Sequence, residues 1–372
     1  MDRSPLNTQP ALRRTISRPI RVGYVPLADA APLIVADELN LFEQAGVRVE
    51  LHREVGWATI REKILYNELD AAHAPAGLAF SLRLGTHGLT CRSLVPFVFN
   101  ANGNAITLAT SLYQKGVRDA VTLRKLIRST QQRLFTFGVV APFSSHNILL
   151  RTWLESGGLD PDKDVRFVML PPTQMAGSLA AGLLDGYCVG EPWNSAAVAV
   201  GCGWCPAVSE SVAPGHPEKV LLTTEDFLAQ RRDDLLRLIR AFDRAGHYCD
   251  QPANRKALPE LMSAVFRNPH DRRLLELSYS GPFQTGLESL PTDSFHIFHR
   301  QQTNRPTPSQ AGWLVSQLIG HRVVSPMESP ALQKAARDCW NTDLYDEALP
   351  SPPHNPKPRP KKQTAKKKLA QA

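Results

Sequence analysis

From residue 20 onward the chain alternates short apolar runs with longer segments in which apolar positions recur every three or four residues. Residues 20–25, 47–51 and 70–75 read as strands, the last ended by its proline. A helix through Ile34, Val35, Leu39 and Phe42 starts at Pro32 and stops at Gly46. Ile60, Ile64 and Leu65 share one face of a second helix, and residues 77–84 make a third. This strand–helix alternation predicts a mainly parallel sheet covered by helices. The pattern then returns, with helices over 123–128, 146–155 and 175–184 and strands over 134–139, 165–170 and 187–190. Between the halves, residues 90–109 hold two extended apolar runs around Asn100-Ala101-Asn102-Gly103-Asn104. They predict a crossing between two lobes, with a polar turn facing a cleft. Residues 208–215 make the return crossing, and Thr223-Thr224-Glu225-Asp226 caps a long helix carrying Leu235, Leu236, Leu238, Ile239 and Phe242.

The expected organisation is therefore an α/β chain of two lobes. The first is discontinuous, 19–107 with 216–349, and the second is 108–215. Residues 1–18 and 350–372 are expected to be a disordered leader and a disordered tail. The net charge of +8 first suggests nucleic acid or membrane, but seven basic residues and no acid fall within 351–372, leaving +1 for the other 350 residues. The tail is then either a solubilising end or a salt-sensitive contact for RNA or an acidic partner. No apolar run near the N-terminus has the form of a secretory signal, and none approaches the roughly 18 residues of a membrane span. A cytoplasmic location without membrane attachment is expected. The six cysteines form no disulfide framework, and Cys202-Gly-Trp-Cys205 lacks the second pair that a zinc site needs.

Residues 135–154 mark the candidate site. A strand breaks at Pro142 and a helix follows Phe143-Ser144-Ser145-His146, with a serine as its cap and free backbone N–H groups at its positive end. The plainer reading is a cap with an exposed histidine. Four further points fall on loops at the C-terminal ends of predicted strands or at the crossings, where open α/β sheets bind ligands: Trp57, the Asn102-Gly103-Asn104 turn, Pro171-Pro172-Thr173-Gln174 and Lys219. Donors outnumber acids in this set. A small, planar, weakly hydrated anion suits it, lying against the indole face. There is no GxSxG, no HExxH and no pair of carboxylates, so no catalytic residue, metal or cofactor is expected.

The segments GWATIREKI, DAAHAP, NANGNAIT, HNILLRTWLESGGLDPDKDV, PPTQM, DGYCVGEPWN and GHPEKVL occur in this order. Together they resemble the nitrate- and bicarbonate-binding proteins of ABC transporters. The resemblance implies a two-lobed periplasmic-binding-protein fold of the second type with an oxyanion between the lobes. Its ligand contacts would fall on Trp57, Gly103, Asn104, His146, Pro172 and Lys219, with Asn102, Ser145, Gln174 and Glu191 as secondary candidates. Asn104 stands where transporter members commonly carry glutamine, and Ser145 where a threonine is usual. Within the family the chain is most similar to cytoplasmic nitrate/nitrite sensors, which sequester an antiterminator bearing an RNA-binding ANTAR domain and release it when the anion binds. The competing expectations are the solute receptor of an importer and, from the enzyme class, a thiamine-pyrimidine synthase of the same fold, which would bring a denser cysteine cluster.

Overall fold

The computed structural model describes residues 18–350 apart from 87, 131–132, 264, 267–268, 280–281 and 291–294. The expected leader and basic tail lie outside the described residues, but for Arg18 and Pro350. Two mixed sheets, each flanked by helices, form the lobes.

The first sheet contains β1 (Ile20–Tyr24), β2 (Val49–Arg53), β3 (Ala71–Pro75), β4 (Ser93–Asn102), β10 (Pro217–Thr224) and β13 (His296–Ile297), in the order β13-β4-β10-β3-β1-β2. The second contains β5 (Asn104–Ala109), β6 (Phe135–Val139), β7 (Val165–Met169), β8 (Gly186–Gly190) and β9 (Gly203–Val208), in the order β7-β6-β8-β5-β9. A short hairpin, β11 (Phe283–Gln284) with β12 (Ser289–Leu290), stands apart. The expected parallel pairing accounts for β2-β1-β3 and β7-β6-β8. The strands nearest the crossings, β4, β10, β5 and β9, pair antiparallel. The central strands β3, β6 and β8 are buried on both faces, as strands covered by helices on both sides are.

Two expectations are corrected. The Asn100–Asn104 stretch is not a loop. The chain stays extended from β4 into β5 and breaks only at Asn102 (φ 61°) and Gly103 (φ 99°), so the crossing lies at Gly103 and not near residue 107. Asparagine side chains replace the lost ladder bonds. Asn100 Nδ2 donates to the Asn102 carbonyl (3.0 Å), and Asn102 Oδ1 accepts from the Gly215 N–H (2.9 Å). A side chain at Gly103 would meet the His296 ring at 2.4 Å. Lys219, expected on a loop, sits inside β10, a fully buried strand between β3 and β4. Its own charge and that of Glu218 hide the strand pattern. The return path also contains β9 and a short helix, Ser209–Val212.

Candidate functional site

Successive residues of a strand point to opposite faces, which would separate Glu218 from Lys219. The pairing of β10 with β4 shifts register between Pro217 and Lys219 and again between Lys219 and Val220. Such a bulge re-aims a side chain, and here it brings both charges to one buried point. Lys219 Nζ lies 2.8 Å from Asp29 Oδ2 and 2.5 Å from Glu218 Oε1. All three side chains are at most 1% exposed.

The second lobe meets this cluster. Asn104 Nδ2 donates to Glu218 Oε2 (2.7 Å), and Ser145 Oγ donates to the same oxygen. His146 Nε2 lies 3.4 Å from Oε1, and His216 Nε2 3.3 Å from Oε2. Trp57, the first residue of the helix Trp57–Leu65, places its ring 5.9 Å from that of His146 and 5.4 Å from the Lys219 ammonium. Ser144 caps the helix Ser145–Ser156 by accepting from the Asn147 N–H (3.2 Å). His146 therefore occupies the first turn, and it is wholly buried.

Charge in this volume is tightly held. Burial pushes the Glu218 carboxyl up, but the Lys219 ammonium, with His146 and His216, outweighs it and holds the group well below its usual value. Burial likewise works against the Lys219 ammonium, and Asp29 and Glu218 more than restore it. Asp29 is pushed up by burial against the pull of Lys219. Burial takes His146 down to about 3, so its ring is neutral near pH 7. His73, 3.2 Å from the Asp29 carbonyl, is also lowered to about 3 by burial. Among the described residues, Trp57 Nε1, both ring nitrogens of His146 and Asn104 Oδ1 are buried without a hydrogen-bond partner. Orphaned polar atoms converging from both lobes are what a polar ligand would satisfy.

A cleft of 310 Å³ opens beside Trp57 and Ser144, walled by Arg61, Pro75 and Leu78 from one lobe and by Pro142, Phe143 and Pro171 from the other. Trp57 lines this cleft and also stands against His146 and Lys219, and so links it to the buried cluster. Gly103 supplies the break that lets Asn104 turn inward, while Asn102 braces the crossing through Gly215. Pro172 opens the helix Pro172–Ala180 and is buried. Gln174, two residues on, is exposed and lies outside the cluster, because the third helical position there turns to solvent. Glu191 lies apart from the anion donors. Its Oε2 accepts from Ser278 Oγ (2.9 Å) and its carbonyl from the Ala28 N–H (2.8 Å), so it fastens the end of β8 to the first lobe.

The expectation that acids are scarce fails at Asp29 and Glu218. Asp29 hides inside an apolar Ala-Asp-Ala turn, and Glu218 gives no sign in sequence of the bulge that turns it inward. Among the described residues no group of histidine, cysteine or carboxylate side chains is arranged to hold a metal ion, and no helix is long and apolar enough to cross a membrane.

The bicarbonate transport ATP-binding protein of Synechococcus elongatus is 37% identical over 303 residues, 80% of this chain. The match spans only 44% of that relative's own length. The nitrate/nitrite binding protein of the same organism is 28% identical over 347 residues, covering 88% of this chain and 77% of the relative. Among solved structures, the periplasmic nitrate-binding protein of Synechocystis superposes with a TM-score of 0.82 at 24% identity, covering 88% of this chain and 87% of the other, which establishes the two-lobed periplasmic-binding-protein fold. A sequence model described as the NMT1-like family matches residues 15–263, the second lobe and the buried cluster included, and the chain belongs to that family.

Proposed function

We propose that this chain is an oxyanion-binding component, taking nitrate or nitrite in the interlobe cleft for an importer. One observation carries the reading. Asn104, Ser145, His146 and Lys219, drawn from both lobes, surround the two oxygens of a single carboxylate at hydrogen-bonding or near-bonding distance. A donor set that fits one planar oxyanion fits another of the same shape. Relatives named for nitrate/nitrite binding support nitrate and nitrite, and relatives named for bicarbonate transport keep bicarbonate among the ligands to be tested. The ATP-binding part of those names does not come across, since these residues contain no Gly-Lys pair, which a phosphate-binding P-loop requires.

Calorimetric titration with nitrate, nitrite, bicarbonate and sulfate tests this. Binding of nitrate or nitrite that weakens at least tenfold in Asn104→Ala and in His146→Ala supports the assignment. Equal affinity in both variants removes it. The relatives named for transport favour delivery to a transporter over control of an ANTAR antiterminator in the cytoplasm. An antiterminator that co-purifies with the chain and leaves on adding nitrate would reverse that preference.

A further inference from the structure

We propose that the cleft takes up its oxyanion together with one proton, and that the proton settles on Glu218. The proposal rests on the oxyanion reading above and concerns how that ligand is admitted.

Glu218 already stands where a planar oxyanion would. Its carboxylate is flat, presents two oxygens from one carbon, and holds Asn104, Ser145 and Lys219 as donors, with His146 and His216 at 3.4 and 3.3 Å. An incoming anion needs those same donors. It cannot gain them while an ionised carboxylate keeps them.

The charges lead to the same conclusion. The groups facing Glu218 are Asp29 from the turn after β1, His73 from β3, His146 from the second lobe's helix, Cys188 from β8, His216 and Lys219 at the start of β10, and His296 from β13. Burial keeps His73, His146 and His296 down to about 3 and holds Cys188 as a thiol. Lys219 brings one positive charge against the carboxyls of Asp29 and Glu218. A bare nitrate adds a further negative charge in a volume closed to water, where an uncompensated charge is strongly unfavourable.

Lys219 holds Glu218 well below its usual value only while the two are paired; an anion that takes over Lys219 leaves burial unopposed, and a proton on Glu218 then removes both obstacles. It cancels the added charge, frees Lys219, Ser145 and Asn104 to turn to the ligand, and converts Glu218 from an acceptor into a donor. No other bond is made or broken. Nitrate, nitrite and bicarbonate are all monoanions, so the compensating proton must in each case be drawn from solvent.

The test is calorimetry of the full chain with sodium nitrate between about pH 6 and 8.5, in buffers of different ionisation heat. The wild type is expected to take up one proton per nitrate and to lose affinity about tenfold for each pH unit of increase. Glu218→Gln keeps the shape and removes the charge. It is expected to bind nitrate without proton exchange, with affinity flat across the range and, at pH 8, at least tenfold tighter than the wild type.

Nitrate binding by the wild type with no proton exchange overturns the proposal, and that measurement needs no variant to fold. Uptake that persists in Glu218→Gln, or that vanishes only in Asp29→Asn, overturns the assignment to Glu218. Absence of heat with every anion at every pH refutes the oxyanion reading itself, and the proposal with it.

Discussion

Replacing Lys219 with methionine isolates the electrostatics of the buried cluster, because the side chain keeps its length and loses only its ammonium. The change leaves Asp29 and Glu218 as buried carboxylates with their shared cation gone. Removing one partner of a buried ion pair typically costs about 3–5 kcal/mol, a large share of the roughly 5–15 kcal/mol that holds a domain folded. Near-wild-type packing of the methionine would keep the loss at the lower end. The pH dependence gives a sharper signature than the size. In the wild type Glu218 is held well below 4.5, so its contribution is complete above that value and is lost only as pH falls through the folded-state value. In Lys219→Met, burial is no longer opposed by the ammonium. The two carboxyls then titrate above their ordinary 3.8 and 4.5, and the variant gains stability as pH falls toward them. Urea unfolding followed by circular dichroism at pH 5, 6, 7 and 8 should show a gap of about 3–5 kcal/mol at pH 7 that narrows by pH 5. A gap below about 1 kcal/mol at pH 7, or one that widens on acidification, would refute the reasoning.

Gly77 faces the Phe143 carbonyl across the cleft, and a side chain there would sit 1.9 Å from that oxygen. Gly77→Ala should therefore prop the lobes apart, leave far-ultraviolet circular dichroism unchanged and weaken anion binding at least tenfold, with a larger radius of gyration in X-ray scattering; undiminished affinity would show that closure does not need this contact. Asp70 is held at about 2, against burial, by hydrogen bonds from Arg18 and Arg21. Its contribution is present above 3.8 and is lost as pH falls toward 2, so Asp70→Asn should cost about 1–2 kcal/mol at pH 7, reduced because Arg18 is half exposed, with the gap closing in acid unfolding curves near pH 2.

Much of this architecture is legible in the sequence, for a physical reason. The strands β1, β3, β6 and β8 are buried on both faces and read as short apolar runs, and the helices after them carry periodic apolar stripes and recognisable starts. Trp57, Ser145 and His146 were readable because each stands at the beginning of a helix that follows a strand. What stays hidden depends on contacts distant in sequence. Pro217-Glu218-Lys219 has the composition of a surface loop, yet β3 and β4 enclose it. The bulge that aligns Glu218 with Lys219 arises from pairing with β4, more than a hundred residues earlier. The Asn100–Asn104 stretch looks like a turn because asparagine and glycine favour one. Here the same amides serve as hydrogen-bond substitutes within an extended crossing.

The contacts that close the cleft lie partly outside the ligand's reach. Glu191 fastens β8 to Ser278 and Ala28. His321, capping the helix Pro308–Gly320, reaches Thr152 (2.9 Å) and Glu155 (3.1 Å) on the second lobe's helix. The β11–β12 hairpin lies against β9 through the Cys205 N–H and the Thr285 carbonyl (2.8 Å). These bonds favour closure whether or not an anion is present. A ligand moves such an equilibrium only by its differential affinity for the closed form. With Glu218 ionised, the closed form already gives its donors a planar oxyanion, so a bare anion adds repulsion and few new bonds. Protonating Glu218 reverses that balance by withdrawing the internal competitor as the external anion arrives. On this argument closure responds to the product of anion and proton concentrations, and the buried glutamate sets how strongly each one counts.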